Sequence, residues 1–133
     1  MERILKYGFG KTVNLPYEQA VERTRAALAA QGFGVLTEID VRETLKKKLD
    51  VEFRPYVILG ACNPPLAHRA LSAELDIGLL LPCNVIVYQG DDSNASVVEV
   101  MDPVAALALT GRSDIADLAT EVRGRLEKVL AAL

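Results

Sequence analysis

NVIVYQ at Asn84–Gln89, DDSN at Asp91–Asn94 and ASVVEVM at Ala95–Met101 read together as two strands joined by a polar turn. β-Branched residues crowd both runs, at Val85, Ile86 and Val87 and again at Val97, Val98 and Val100, while the four residues between them favour a tight reversal. An antiparallel hairpin is therefore expected here. Asp102-Pro103 ends its second strand, because proline supplies no N–H to a ladder.

Upstream of the hairpin, Pro64 to about Leu75 reads as a helix capped by Asn63. It follows an alternating strand over Val51–Ala61, in which Pro55 is tolerable only at an edge or a bulge. Arg42–Leu49 is a short charged helix or turn. Val35–Val41 alternates, with Val35, Thr37, Ile39 and Val41 facing one way and Leu36, Glu38 and Asp40 the other. Tyr17, Ala20, Val21, Thr24 and Leu28 recur at helical spacing after Pro16, with Gly32 as the left-handed stop and Phe33 as its hydrophobic cover. Ile4–Val13 reads as one strand, with Gly8 and Gly10 suggesting an edge or a bulge. Downstream, a last helix starts at Ser113 as N-cap, beside Asp114. Its apolar stripe runs through Ile115, Leu118, Ala119, Val122, Leu126, Val129, Leu130 and Leu133. That stripe must lie on the sheet or on another subunit.

The order predicts an α+β fold, a mainly antiparallel sheet with two long helices packed on one face. A doubly wound nucleotide-binding fold needs regular strand–helix alternation and a glycine fingerprint, and neither is present. At 133 residues, without repeat, linker or low-complexity tract, the chain reads as one domain over 1–133. Net charge is −3 and aromatics make up 5%, which argues against both a phosphate-binding surface and a base-stacking platform. Lys46-Lys47-Lys48 is too short and too closely flanked by Glu43 and Asp50 to change that. No apolar run is long enough for a bilayer, and no signal peptide is visible, so a cytoplasmic setting with reduced cysteines is expected.

Three stretches carry a family resemblance: GFGVLTEID at Gly32–Asp40, YVILGACNPP at Tyr56–Pro65 and LLLPCNVIVY at Leu79–Tyr88. With this motif order across nearly its whole length, the chain resembles the family catalogued as domain of unknown function 302. The resemblance implies a helix-on-antiparallel-sheet fold of the TATA-binding-protein-like kind and a homodimer, and it implies no activity. The broader family pattern keeps Asn-Pro and Leu-Pro at Asn63-Pro64 and Leu81-Pro82, often without the cysteines, so a mechanism on Cys62 and Cys83 would belong to a cysteine-containing branch.

Cys62 and Cys83 are the candidate catalytic pair. Cys62 precedes the Asn63 cap, where the N–H groups of a helix start favour a thiolate. Cys83 opens the next strand, so the two meet at one end of the sheet if their strands are antiparallel neighbours. Thiol-based redox, with Cys62 as nucleophile and Cys83 as resolver, and small-ligand binding are both open. His68, the only histidine, would complete a soft Cys62–His68–Cys83 donor set for Zn or Cu, although the spacing matches no metal signature and a fourth ligand is missing. The plain alternatives are two cysteines packed in the core and a histidine at a helix margin. Glu38 and Asp40, about 7 Å apart along a strand, suit acid–base work, a cation, or simply a wet sheet face. Arg54 and Tyr56 would meet them across strands and form a polar surface for a small ligand, while Asn63 is expected in a ligand pocket beside Cys62 and Cys83. The expected molecule is a homodimer that binds an unknown small molecule or acts through thiols, with no cofactor required, or else a non-catalytic assembly module. It would engage neither nucleic acid nor membrane. The last helix and the Ala95–Met101 strand are the candidates for the dimer face.

Overall fold

The computed structural model describes residues 1–133. Six strands, β1 (Glu2–Ile4), β2 (Gly8–Val13), β3 (Gly34–Asp40), β4 (Tyr56–Cys62), β5 (Cys83–Gln89) and β6 (Ser96–Met101), form one antiparallel sheet in the order β1-β2-β6-β5-β4-β3. Five α-helices accompany them: α1 (Tyr17–Ala30), α2 (Val41–Leu49), α3 (Pro64–Ala73), α4 (Pro103–Leu107) and α5 (Ser113–Ala131). This is the α+β architecture expected from the sequence.

Alternation along the central strands sends Val57, Leu59, Val85, Val87, Val98 and Val100 to one face, where each is at most 2% exposed. Leu28 of α1 and Ile115, Leu126 and Val129 of α5 join them in a single hydrophobic cluster. The two long helices thus share one face of the sheet. The α5 stripe is spent on this core. β6 is flanked by β2 and β5, so both its edges are paired. Gly32 adopts φ 81° after α1, as a left-handed stop requires, and Phe33 is buried beneath it.

Several local readings change. The run over Ile4–Val13 is two strands, because the chain reverses at residues 5–7 and β1 pairs with β2 as a hairpin. β4 begins at Tyr56, five residues later than the alternation suggested, since Pro55 cannot donate to a ladder and serves only as an acceptor for Gln89 N–H. Asp102-Pro103 does more than break β6. The Asp102 carboxylate accepts from Val104 N–H and starts α4. Arg112, not Ser113, occupies the N-cap of α5, and Asp114 accepts from Ile115 N–H instead. A bulge between Val35 and Thr37 leaves Leu36 outside the ladder and inverts the phase of β3. Val35 consequently shares a face with Glu38 and Asp40, not with Thr37 and Ile39.

The face of the sheet away from the helices carries Tyr56 and Ile58 of β4, Ile86 and Tyr88 of β5, and Glu99 of β6. Gly10 of β2 lies opposite Glu99, and Arg3 of β1 lies opposite Gly10. With no side chain on Gly10, Arg3 reaches over β2 to the Glu99 carboxylate, at 3.2 Å.

Candidate functional site

β4 and β5 are antiparallel neighbours, with Ala61 opposite Cys83. The end of one strand therefore meets the start of the other. Cys62 and Cys83 lie one register step apart, both as free thiols. Directly after Cys62, the Asn63 side chain accepts from Leu66 N–H at 3.3 Å while Pro64 takes the first helical position, so the chain turns sharply out of β4 into α3. The C-terminal turn of α1 closes over this junction, held by an Arg125 guanidinium that donates to the Gln31 carbonyl at 3.2 Å.

Beneath that junction is a cavity of about 340 Å³ bounded by the sheet end, α3 and α5. Phe33, Leu66, Ala70, Leu81, Leu118 and Val122 form its walls, and both cysteines line it. Thr37 and Asn63 are the only polar side chains other than the thiols on its surface. Exposed Leu36, Thr37 and Gly78 mark where it meets solvent. The volume falls in the range of ligand pockets and is more than twice that of the roughly 150 Å³ apolar cavities that stay dry and take up benzene.

The electrostatics of the two sulfurs differ. Burial pushes the Cys83 thiol up to about 11, with the nearby Cys62 adding to the effect. Cys83 is therefore a neutral thiol at physiological pH. Its support for the fold is complete below the ordinary thiol pKa and is lost as pH rises through about 11. Iodoacetamide at pH 8 is expected to label the half-buried Cys62 and spare Cys83, with Cys83 reacting only as the pH nears 11. Peptide mass mapping of labelled protein measures this, and prompt labelling of Cys83 at pH 8 would contradict the burial argument.

The remaining candidate residues are dispersed. His68 is on the exposed side of α3, and no three His, Cys, Asp or Glu side chains converge in a geometry able to hold a metal ion. The Cys62–His68–Cys83 donor set is thus not assembled. Glu38 pairs with Arg25 of α1 at 2.7 Å. Asp40 accepts from Glu43 N–H and starts α2. Both lie on the helix side of β3, near Tyr17, whose phenol is pushed up to about 12 by burial and by these two carboxylates. Arg54 donates to the Gln89 carbonyl, and Tyr56 stacks on Tyr88 across the opposite face. The expected polar surface of Glu38, Asp40, Arg54 and Tyr56 does not form, because the Leu36 bulge places the carboxylates on the other side of the sheet from Tyr56. Sequence reasoning missed the cavity walls. The available signal was the small residues Ala67 and Ala70, three apart on one side of α3, facing Ala61.

A family model described as "Domain of unknown function DUF302" matches residues 9–133. The chain belongs to the DUF302 family. A solved DUF302 structure, an uncharacterized conserved protein from Bacillus stearothermophilus, superposes with a TM-score of 0.87 at 29% identity, over 95% of this chain and 97% of that one. No curated protein matches the chain. No helix of this DUF302 domain is long and apolar enough to cross a membrane.

Proposed function

We propose that this DUF302 domain binds a small, predominantly apolar molecule in the cavity between α3, α5 and the ends of β4 and β5. The supporting observation is the composition of that cavity: hydrophobic walls, two thiols, and polar side chains only at Thr37 and Asn63. An apolar guest gains by leaving water, while Asn63 and Thr37 can orient one polar group of it. Thiol chemistry draws support from the shared lining by Cys62 and Cys83, but the buried, neutral Cys83 is poorly suited to attack or to resolve. A Zn or Cu role would require donors beyond Cys62 and Cys83, because His68 stands on the exposed side of α3 and no third donor joins them.

The test is two-dimensional NMR of the full chain titrated with indole and with medium-chain alcohols at millimolar concentration. Shifts are expected to cluster at Phe33, Leu66, Cys83 and Val122 and to vanish in Ala67→Trp, which fills the cavity from its half-buried α3 wall. Absence of any saturable shift at those residues would reject apolar-ligand binding here.

A further inference from the structure

We infer that a second site, on the face of the sheet away from the long helices, takes a primary ammonium ion carried on an apolar body. Its centre is Glu99 of β6, whose side chain is only 8% exposed. One carboxylate oxygen, Oε2, accepts from Arg3 Nε at 3.2 Å. The other, Oε1, accepts no hydrogen bond within the chain, yet no side-chain oxygen lacking a partner is sealed from solvent. Oε1 therefore looks into open space. The space that Glu99 lines is a cavity of about 390 Å³. A nearly buried carboxylate with one oxygen unmet is costly unless something fills that position.

The β1–β2 hairpin builds the cavity. Gly8 of β2 lies opposite Met101, and Ile86 of β5 lies opposite Glu99, so these residues and Asn84 share the open face. A β-carbon at Gly8 would lie 2.7 Å from the Val100 carbonyl oxygen. The strand thus passes close to β6 and leaves the floor free of a side chain. Leu5 and Tyr7 of the reversal stand at the edge of that gap, and Ala106 of α4 completes the lining. The reversal is fixed in place. Leu5 N–H donates to the Gly8 carbonyl at 2.8 Å, and the Tyr7 carbonyl accepts from Asp102 N–H at 2.9 Å.

The lining selects the class of ligand. Leu5, Tyr7, Ile86, Met101 and Ala106 suit an apolar or aromatic body, and the volume is that of a small-molecule pocket. Glu99 and the exposed Asn84 amide add oxygen acceptors. They are diagonal neighbours on paired strands, on the order of 7 Å apart, so one nitrogen between them can donate to both. A primary ammonium has N–H groups for both and a charge opposite to the carboxylate, whereas a hydroxyl has one proton and no charge. Arg3, on the other side of the carboxylate, is 36% exposed, and Lys6 at the reversal is exposed as well. Water and salt screen their repulsion of a bound cation. The net charge of −3 favours its approach.

The test is two-dimensional NMR of the full chain near neutral pH, titrated with 2-phenylethylamine and separately with 2-phenylethanol. Saturable shifts are expected at Tyr7, Gly8, Ile86 and Met101, with the amine bound about tenfold more tightly than the alcohol. Glu99→Gln keeps the size of the side chain and an oxygen for Arg3, and it should erase that preference while the alcohol still binds. Ala106→Phe, which fills the cavity from half-buried α4, should abolish both. Equal affinities in the wild type would overturn the inference. So would a preference retained in folded Glu99→Gln, or shifts confined to Phe33, Leu66 and Val122 of the first cavity. If circular dichroism shows Glu99→Gln unfolded, amine binding that survives Ala106→Phe overturns it instead.

Discussion

Gly10→Ala is expected to destabilise the domain by about 3 kcal/mol or more. A β-carbon at this position would lie 2.0 Å from the Val98 carbonyl oxygen and 2.6 Å from the Glu99 Cα. Both are backbone atoms of a strand paired on each side, so no flexible side chain can yield. β2 would have to move away from β6, weakening their ladder and displacing Arg3 from the nearly buried Glu99. A carboxylate left there without its cation adds to the loss. Urea unfolding of the two proteins measures the difference. A change below about 1 kcal/mol would show that the β2–β6 contact is looser than described.

Leu126→Ala is expected to cost about 3–5 kcal/mol, since a fully buried leucine loses both transfer free energy and close contacts. Leu126 is 0% exposed on the face of α5 that covers the central valines. It belongs to one cluster with Leu28 of α1, Ile115 and Val129 of α5 and the buried strand valines, a close-packed interior that collapses only partly into a vacated space. Against a typical domain stability of about 5–15 kcal/mol, this is a large fraction of the total. Thermal unfolding monitored by circular dichroism should show a fall of more than 10 °C, on the order expected for a domain of this size. A fall of only a few degrees would mean that α5 contributes less to the core than its burial indicates.

Element order and packing were legible because they depend on periodicity. The spacing of Ile115, Leu118, Val122, Leu126 and Val129 can describe only a one-sided helix, and the hairpin around Asp91–Asn94 can be only antiparallel. The sequence was less informative where pairing overrides pattern. Nothing in VLTEIDV announces that Leu36 will drop out of the ladder, yet that one residue decides which side of the sheet Glu38 and Asp40 occupy. The reversal at residues 5–7 and the helix after Pro103 are too short to leave a periodic trace. At the candidate site, Cys62, Asn63 and Cys83 could be placed together from the meeting of two strand ends. The cavity they line could not, because its volume arises from what Ala61, Ala67 and Ala70 fail to fill.

The Leu36 irregularity also bears on how the protein avoids fibre growth. β3 forms one border of the sheet, and a regular border would offer an even row of donors and acceptors to any passing strand. The kink interrupts that row, while the opposite border, β1, is only three residues long. Lateral strand addition, the route to open-ended polymers, is disfavoured at both borders.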